Sequence, residues 1–345
     1  MTQFIQLHLL TAYPPANLNR DDLGRPKTAI VGGTERLRIS SQSLKRAWRT
    51  SEHFESALGD FKGTRTKRLG EEVYQHLLEK EVKEKDAKDW ASSIANVFGK
   101  VKKDNPLDIE QLAHISPVEW EAVINLADTL ASENRAPEKD ELNLLRAKPK
   151  AADIALFGRM LASSPAYNVE AAAQVAHAIT VTPVKIEDDF FTAVDDLNTH
   201  EEDAGAGHMG DAGFGSGVFY QYICINRDLL IENLQGDEAL ATRTIAALTE
   251  AAAKVAPTGK QNSFASRAYT SYMLAEKGEQ QPRSLSVAFL KATRDDDPLS
   301  NAIELLEKQT ENFDKVYGQC ADERKSLNAQ TGQGTLQDIL TFVAS

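Results

Sequence analysis

Residues 36–49 of this chain read RLRISSQSLKRAWR, an alternating basic and apolar run followed by a basic amphipathic segment. The alternation predicts a strand with Arg36 and Arg38 on one face. Ser40 or Ser41 is a favoured N-cap, so a helix should begin directly after the strand. We therefore expect a strand to pass into a helix at this point.

The predicted helix has two faces of different character. One polar and basic stripe, at spacings i, i+3, i+4 and i+7, is formed by Gln42, Lys45, Arg46 and Arg49. The opposite side carries Leu44, Ala47 and Trp48. The apolar side should be buried, and Lys45 and Arg49 should face solvent. Free N–H groups, hydroxyls and cations at a helix start suit phosphate binding. A solvated strand–helix corner without a ligand explains the same residues about equally well.

The charge distribution makes this region unusual. The chain has 39 Lys and Arg against 51 Asp and Glu, a net charge of -12. Residues 1–50 hold eight basic and three acidic residues, a net charge of +5, so the remainder carries -17. A basic patch inside an acidic protein indicates a localised polyanion site and not general attraction to nucleic acid.

The composition is that of a globular protein. Of 345 residues, 41% are hydrophobic and 26% charged, and the length allows two domains or one elaborated domain. No apolar run approaches the roughly 20 residues of a membrane span, and the N-terminus lacks a signal-peptide pattern, so no membrane partner is expected. Cys224 and Cys320 lie far apart and match no metal-ligand spacing, which favours a reducing, cytoplasmic location.

The order of predicted elements indicates an α+β fold. Residues 2–10 predict an opening strand, and a long loop with Pro14, Pro15, Gly32 and Gly33 follows. Later strands are predicted at residues 176–184, 190–194, 218–225 and 263–274, and helices at 238–255, 298–317 and 336–343. Proline-broken helical pieces over residues 53–165 predict an inserted helical subdomain. This order fits helices on one face of an antiparallel sheet, a class that includes the split βαβ RNA-recognition fold.

Three possible catalytic or cofactor motifs are weak. Residues 205–210 match G-x-G-x-x-G but lack the preceding strand and following helix of a dinucleotide site, so a glycine-rich turn is favoured. His200, His208 and their acidic neighbours match no metal-ligand spacing, and we expect no metal. Asp21 and Asp22 could bind Mg²⁺ in a nuclease, although Arg20 beside them favours a salt-bridged loop anchor.

Phe190 and Phe191 form the second informative feature. Adjacent residues of a strand point to opposite faces, so at most one of these rings can be core. The other could meet a nucleobase at a projecting hairpin. An ordinary hairpin packed on its own domain remains the alternative.

Several segments together resemble one known family. They occur in the same order and at similar spacing as in the CasC-type backbone subunit of Cascade, the type I-E CRISPR effector complex. They are residues 18–22, 40–49, 153–160, 176–180, 191–197 and 216–220.

The resemblance implies a hand-like architecture with a palm of the RNA-recognition (ferredoxin-like) fold, inserted helical fingers and a projecting β-hairpin thumb. In this chain the palm would comprise residues 1–52, 166–185 and 217–345, the fingers 53–165 and the thumb 186–216.

The resemblance also implies roles for particular residues. Contacts to the RNA backbone would come from Arg20, Lys27, Ser40, Gln42, Lys45, Arg46 and Arg49. Met160 would project from the fingers towards the guide. The thumb residues that displace a base, about every sixth, would be Phe191, Thr192 and Val194.

The function implied is that of a non-catalytic scaffold without cofactor. It would bind CRISPR RNA, polymerise head to tail on it and present the guide to a target DNA strand, together with other Cascade subunits. Two alternatives remain. One is an RNA-cleaving backbone subunit that uses Asp21 or Asp22. The other is a stand-alone single-strand RNA-binding protein.

Overall fold

A computed structural model of the chain describes residues 2–193 and 208–345. The strands are β1 (Phe4–Ala16), β2 (Thr28–Val31), β3 (Thr34–Ile39), β4 (Thr64–Thr66), β5 (Ala113–Ile115), β6 (Ala173–Val175), β7 (Ala178–Thr180), β8 (Glu187–Ala193), β9 (His208–Asn226), β10 (Tyr272–Gly278) and β11 (Glu323–Asn328). The helices are α1 (Ser41–Arg49), α2 (Glu52–Leu58), α3 (Leu69–Glu79), α4 (Glu84–Phe98), α5 (Pro117–Glu133), α6 (Ala152–Phe157), α7 (Arg227–Asn233), α8 (Glu238–Lys254), α9 (Gln261–Phe264), α10 (Pro298–Tyr317) and α11 (Leu336–Ala344).

One large antiparallel sheet organises the chain. Its strand order is β11-β10-β1-β9-β7-β3-β2, and β6 and β8 also pair with β9. The 19-residue strand β9 contacts four different strands in this way. The prediction of an α+β fold with an antiparallel sheet is confirmed.

Helices cover the first face of the sheet. Ile5, Leu7 and Leu9 of β1 are fully buried there, in a core shared with α1, α2, α8 and α11. Alternate residues of a strand share one face, so the alternation in β1 builds this core directly.

The second face is also covered, which corrects the expectation of helices on one face only. Leu10 of β1, Tyr220 of β9 and Leu274 of β10 pack there against Phe289 and against Leu306 of α10. A two-sided cover explains why all seven residues of β10 are buried. Buried strands lose the polar alternation that marks a one-sided sheet.

A second hydrophobic core forms a cluster separate from the sheet core, although Ala152, Ala155 and Leu156 of α6, which lie within its stretch of sequence, belong to the sheet core. It draws its buried residues from between Leu69 and Leu161, including those of α3, α4 and α5. Phe54 and Leu58 of α2 belong instead to the sheet core. The boundaries given above for palm, fingers and thumb stay predictions.

The long loop predicted before the basic strand is shorter than expected, because strand residues occupy both of its ends and leave residues 17–27 as the loop. β1 continues through Pro14 and Pro15 to Ala16, with a register irregularity between Tyr13 and Ala16 in its pairing with β9. Prolines lack the N–H that a regular ladder needs, so an irregularity is where they fit.

The Gly32-Gly33 pair makes the tight turn between β2 and β3. Val31 pairs with Thr34 across it, and both glycines have positive φ, 58° and 74°. Two-residue hairpin turns of this kind require left-handed residues, which glycine supplies without steric cost.

Within the two described ranges, no helix is long and apolar enough to cross a membrane.

Candidate nucleic-acid interface

Helix α1 has the cap and the two faces that the sequence predicts. The Ser40 hydroxyl accepts a hydrogen bond from Ser43 N at 3.3 Å, which fixes the helix start. Leu44, Ala47 and Trp48 are buried in the protein. The opposite stripe is thereby turned outward, as an amphipathic helix on a core requires.

A groove of about 590 Å³ runs between this helix and the loop that follows β1, and we call it the loop–helix groove. It is lined by Leu18, Asn19, Arg20, Asp21, Asp22, Gly24, Ser43, Arg46, Ala47, Thr50, Thr258 and Gly259. Arg20 and Arg46 are exposed there, and neither forms an ion pair within the described part of the chain. Asp21 and Asp22 line the same groove, so its formal charges balance, and phosphate binding there would depend on the hydrogen-bond donors of the two arginines.

The loop is held in shape by backbone hydrogen bonds. Oδ1 of Asp21 accepts from Leu23 N and Arg25 N, both at 2.9 Å. Oδ1 of Asn19 accepts from Ser40 N at 2.8 Å, which ties the loop to the start of α1. The expectation of a salt-bridged anchor at Asp21 is wrong, because this carboxylate caps the loop's N–H groups. Such an Asx turn needs no cation.

The groove also depends on a close backbone approach. A Cβ atom at Gly259 would lie 2.3 Å from Leu18 O, so only glycine fits at this point. The segment containing Thr258 and Gly259 can thus lie directly against the loop. Gly259 therefore helps to define the wall opposite α1.

Lys45 and Gln42 both lie on the outward stripe but differ in environment. Gln42 is exposed, whereas Lys45 is half-buried with Nζ 5.7 Å from the centre of the Phe157 ring. Burial lowers the pKa of the Lys45 ammonium from its ordinary value. The stem of Lys45 thus packs while its charge is held near the surface.

Arg49 is not solvent-facing, which corrects the sequence expectation. Only 16% of its side chain is exposed, and Nη1 donates to Asp153 Oδ2 at 3.1 Å and to Gly63 O at 3.3 Å. The carboxylate of Asp153 is fully buried. A buried carboxylate needs hydrogen-bonding or charged partners, and Arg49 is one of them. Its guanidinium is therefore not free to bind a ligand through the same donor.

Four groups in all hold the Asp153 carboxylate, and besides Arg49 they include Ile154 N, which donates to Oδ1 at 3.0 Å. His114 Nε2 lies 2.8 Å from Oδ2, and Gly63 N donates to Oδ1 at 2.8 Å. Burial alone would raise the pKa of Asp153, but the His114 hydrogen bond and charge, the Gly63 N–H and the Arg49 charge hold it below the ordinary value. Asp153 therefore stays ionised and joins α1 to β5 and α6.

A second basic group lies on the sheet, and of its members the resemblance named only Lys27 as an RNA contact. Lys27 stands opposite Arg38, because Arg38 N donates to Lys27 O at 2.8 Å. Arg38 Nη1 lies 3.0 Å from His177 Nδ1. Burial, then the charges of Arg38 and Lys27, lower the pKa of His177. Only the strand pairing brings residues 27, 38 and 177 together, so no local pattern could have identified the group.

Arg36 belongs to the structure and not to this surface. It is fully buried, and its guanidinium donates to Thr180 O at 2.7 Å and Phe289 O at 3.1 Å. Arg38, two residues later on the same strand face, remains partly accessible. Alternation therefore identified the face correctly but could not separate the buried cation from the accessible one.

Met160 is the exposed apolar residue that the resemblance singled out. Its side chain is 79% exposed and lies in a region with the half-exposed Leu112. Both line a cavity of about 250 Å³ at the edge of the second core. An exposed methionine can pack against varied partners.

The β8–β9 hairpin carries the predicted aromatic pair. Both Phe190 and Phe191 are exposed, at 68% and 42%, so neither is core. Phe191 stands opposite Gly210, and a Cβ atom there would lie 2.6 Å from the Phe191 ring. The ring therefore lies over the glycine backbone. Thr192 stands opposite Met209 and is exposed, while Val194 lies outside the described residues.

The glycine-rich stretch is more ordered than a turn. From His208 to Gly217 its backbone is part of β9, which corrects the turn interpretation for those residues. Gly217 lies against the Thr180 side chain. A Cβ atom added to Gly217 would be 2.9 Å from Thr180 Cγ2. Glycine in this strand permits close packing of its neighbours.

Among the described residues, no group of three or more His, Cys, Asp or Glu side chains could hold a metal ion. His200 and its acidic neighbours, for which the sequence predicts no metal site, lie outside the described ranges. Asp22 is exposed in the groove, while Asp21 is engaged in its loop.

The chain is similar to known proteins over nearly its whole length. The family model described as CT1975-like protein matches residues 5–341. A chain of a CRISPR RNA-guided surveillance complex in a pre-nicking state is 30% identical with a TM-score of 0.85, and the match covers 99% of both chains. A chain of another CRISPR RNA-guided surveillance complex is 25% identical with a TM-score of 0.74, again over 99% of both. No curated protein matches in sequence. The chain belongs to the CT1975-like protein family and is a CasC-type subunit of the kind found in CRISPR surveillance complexes.

Proposed function

We propose that this protein is a non-catalytic backbone subunit that binds CRISPR RNA and presents it for pairing with target DNA. Copies would polymerise head to tail along the RNA and associate with other subunits of the complex. The similar solved chains come from RNA-guided complexes, and their likeness extends over 99% of this chain. Such an assembly needs each copy to hold the RNA by its sequence-independent backbone.

The observation that carries this proposal is the loop–helix groove with Arg20 and Arg46, which form no ion pair with any of residues 2–193 or 208–345. Phosphates are bound by cations and N–H groups without regard to base sequence, which suits a subunit that must accept any guide. Lys27, Arg38 and His177 extend the basic surface along the sheet. The net charge of -17 on residues 51–345 would keep bulk duplex away from the rest of the subunit.

The proposal includes the hand-like architecture. The sheet with its helices would be an RNA-recognition-like palm, the second core the fingers, and the β8–β9 hairpin the thumb. Phe191 and Thr192 lie exposed on that hairpin, where an aromatic side chain can replace a base in the stack. Val194 is assigned to the same role by position alone.

A non-catalytic role is part of the proposal. Both backbone N–H bonds to Asp21 Oδ1 compete with a role in metal binding or proton transfer. The ribonuclease alternative would then rest on Asp22, which is exposed in the groove. Incubation of the assembled complex with complementary RNA and Mg²⁺ separates the two: regular cuts would support cleavage, and intact RNA supports a scaffold.

The test of RNA scaffolding is purification of the expressed full chain with and without a CRISPR array. We expect co-purification with RNA of uniform length and a large increase in mass by light scattering when guide RNA is present. An Arg20→Ala/Arg46→Ala variant should lose this RNA, and Arg294→Ala, an exposed cation outside the groove, should retain it. A protein that binds RNA but stays monomeric would instead support the stand-alone alternative.

A further inference from the structure

The loop that lines the groove is fastened to the base of the β8–β9 hairpin. Asn17 is buried directly after β1, and its Nδ2 donates to Gly24 O at 2.9 Å and to Gly213 O at 3.0 Å. Gly24 belongs to the loop, and Gly213 lies in β9 opposite Asp188 of β8. One amide group therefore holds the loop and the hairpin at once.

Two further contacts join the same elements. Arg25 of the loop forms an ion pair with Asp188, at 3.0 Å between Nη2 and Oδ1. A Cβ atom on Gly213 would lie 3.1 Å from Pro26 Cδ, so this glycine allows the loop to lie close to the hairpin. The contacts of Asn17, Arg25 and Pro26 all converge on the Asp188–Gly213 pair.

The chemistry of Asn17 indicates why an amide stands here. Its Oδ1 is buried and has no hydrogen-bond partner among the described residues. A buried, unsatisfied acceptor is costly, and an apolar side chain of similar size would avoid that cost. Asparagine therefore suits this position because its two amide N–H groups can donate to two carbonyl groups at once.

We propose that Asn17 and the Arg25–Asp188 pair are positioning elements that couple occupancy of the loop–helix groove to the orientation of the β8–β9 hairpin. This inference rests on the proposed RNA-binding function. A phosphate held by Arg20 restrains the loop, and the shared amide transmits that restraint to Gly213. Coupling of this kind is reciprocal, so fixing the hairpin also favours RNA in the groove.

Asn233 offers a matched control for Asn17. Its Nδ2 likewise donates to two carbonyls, Ala155 O at 3.2 Å and Glu170 O at 2.9 Å, and it is also buried. Loss of either side chain removes one buried and one partly buried hydrogen bond, but of the two residues only Asn17 contacts the hairpin. A general loss of stability should affect Asn17→Ala and Asn233→Ala alike.

The first experiment measures hydrogen exchange of the backbone amides of residues 187–191 and 210–214 in the full chain, with and without polyuridylate. Without RNA, Asn17→Ala should raise these exchange rates at least about threefold, and Asn233→Ala should not. With RNA, exchange should slow in the natural protein and slow less in Asn17→Ala. Equal effects of the two variants, or equal slowing by RNA in Asn17→Ala, would overturn the coupling. If the natural protein binds no RNA, the proposed function fails, while the RNA-free comparison still decides whether Asn17 positions the hairpin.

A charge exchange provides a test that does not depend on the Asn17 variant folding. Arg25→Asp and Asp188→Arg should each raise exchange at the hairpin base, and the double variant should restore it, because the pair is re-formed with opposite polarity. Asp189→Arg is the control, since Asp189 is adjacent and forms no ion pair within residues 2–193 and 208–345. No rescue in the double variant would rule out the ion pair as a positioning element.

Discussion

Nη1 of Arg49 lies 3.1 Å from Oδ2 of Asp153, so the last cation of the α1 stripe is bound to a buried carboxylate. The basic residues of the stripe therefore lie in two different environments. Arg46 is exposed in the loop–helix groove, whereas Arg49 fastens α1 to the segments that carry Gly63 and His114. The two arginines should respond differently to the same substitution.

Arg49→Ala should lower the free energy of unfolding by roughly 2–3 kcal/mol, because Asp153 would keep its burial but lose one of its charged partners. Arg46→Ala should change it by less than about 0.5 kcal/mol, as expected for an exposed side chain. Urea denaturation of both variants measures the difference. Equal stability of the two proteins would contradict the structural role of Arg49.

The exposed arginines of the groove should contribute to RNA affinity, although they contribute little to stability. Arg20→Ala and Arg46→Ala should each weaken binding of single-stranded RNA roughly tenfold, since a charge-assisted hydrogen bond contributes about 1.5 kcal/mol. Each lost phosphate contact should also reduce the slope of log K against log salt by roughly 0.7. Titrations at several salt concentrations measure both quantities. Arg294→Ala, with its exposed side chain outside the groove, should leave slope and affinity unchanged. Unaltered slopes in the groove variants would remove the phosphate assignment.

RNA binding should strengthen as the pH falls from about 7.5 to 6 because of His177. Burial and the charges of Arg38 and Lys27 lower the pKa of His177 in the free protein, which keeps it neutral near pH 7. A bound phosphate would stabilise the imidazolium and raise this pKa, so RNA binding takes up a proton and is favoured by acid.

The control is His177→Gln, which keeps a hydrogen-bonding side chain beside Arg38 but cannot titrate. Its RNA affinity should vary less with pH than that of the natural protein.

The stability of the free protein should show the opposite trend with pH. The unfolded chain binds the His177 proton more readily than the folded chain, so acid below pH 6.5 favours unfolding. An identical pH dependence of RNA affinity in both proteins would exclude His177 from the interface.

The sequence specified local elements well and long-range charge networks poorly. Helix α1, its Ser40 cap and its buried Trp48 follow from spacing alone, because all of the determining residues lie within one segment. Strand β10 was predicted at residues 263–274 but spans Tyr272–Gly278. Its Glu276 is fully buried and pairs with His8 and Arg324 from distant segments and with Arg283, seven residues further along the chain.

The same limit applies to the edge of the sheet and to the candidate site. Strand β11 has mostly exposed, polar residues and no apolar alternation, so only its pairing with β10 identifies it. Arg36, Arg38 and Arg49 look equivalent in sequence, yet one is buried on carbonyl groups, one contacts His177 and one is bound to Asp153. Residue type and spacing locate a basic surface, but only tertiary pairing shows which cations remain available.

The most specific prediction concerns the outer part of the β8–β9 hairpin. Residues 190–211 should be replaced by Asn-Gly, which closes a tight turn directly across the paired residues Asp189 and Ala212. This design retains Asp188 and Gly213, so the contacts of Arg25 and Asn17 with the hairpin base are preserved. The large sheet and the loop–helix groove should therefore stay folded, and RNA affinity of the free subunit should be largely kept.

In the assembled complex, the natural protein should tolerate target mismatches at a regular interval of about six nucleotides. At those positions Phe191 and its neighbours would occupy the space of a stacked base, at an unstacking cost of a few kcal/mol that protein contacts offset. Pairing there contributes nothing, whereas each flanking mismatch should weaken binding. The shortened variant should lose the recurrent tolerant positions. A mismatch scan of target binding, read position by position for both proteins, measures this, and a flat tolerance profile for the natural protein would rule out base displacement by the hairpin.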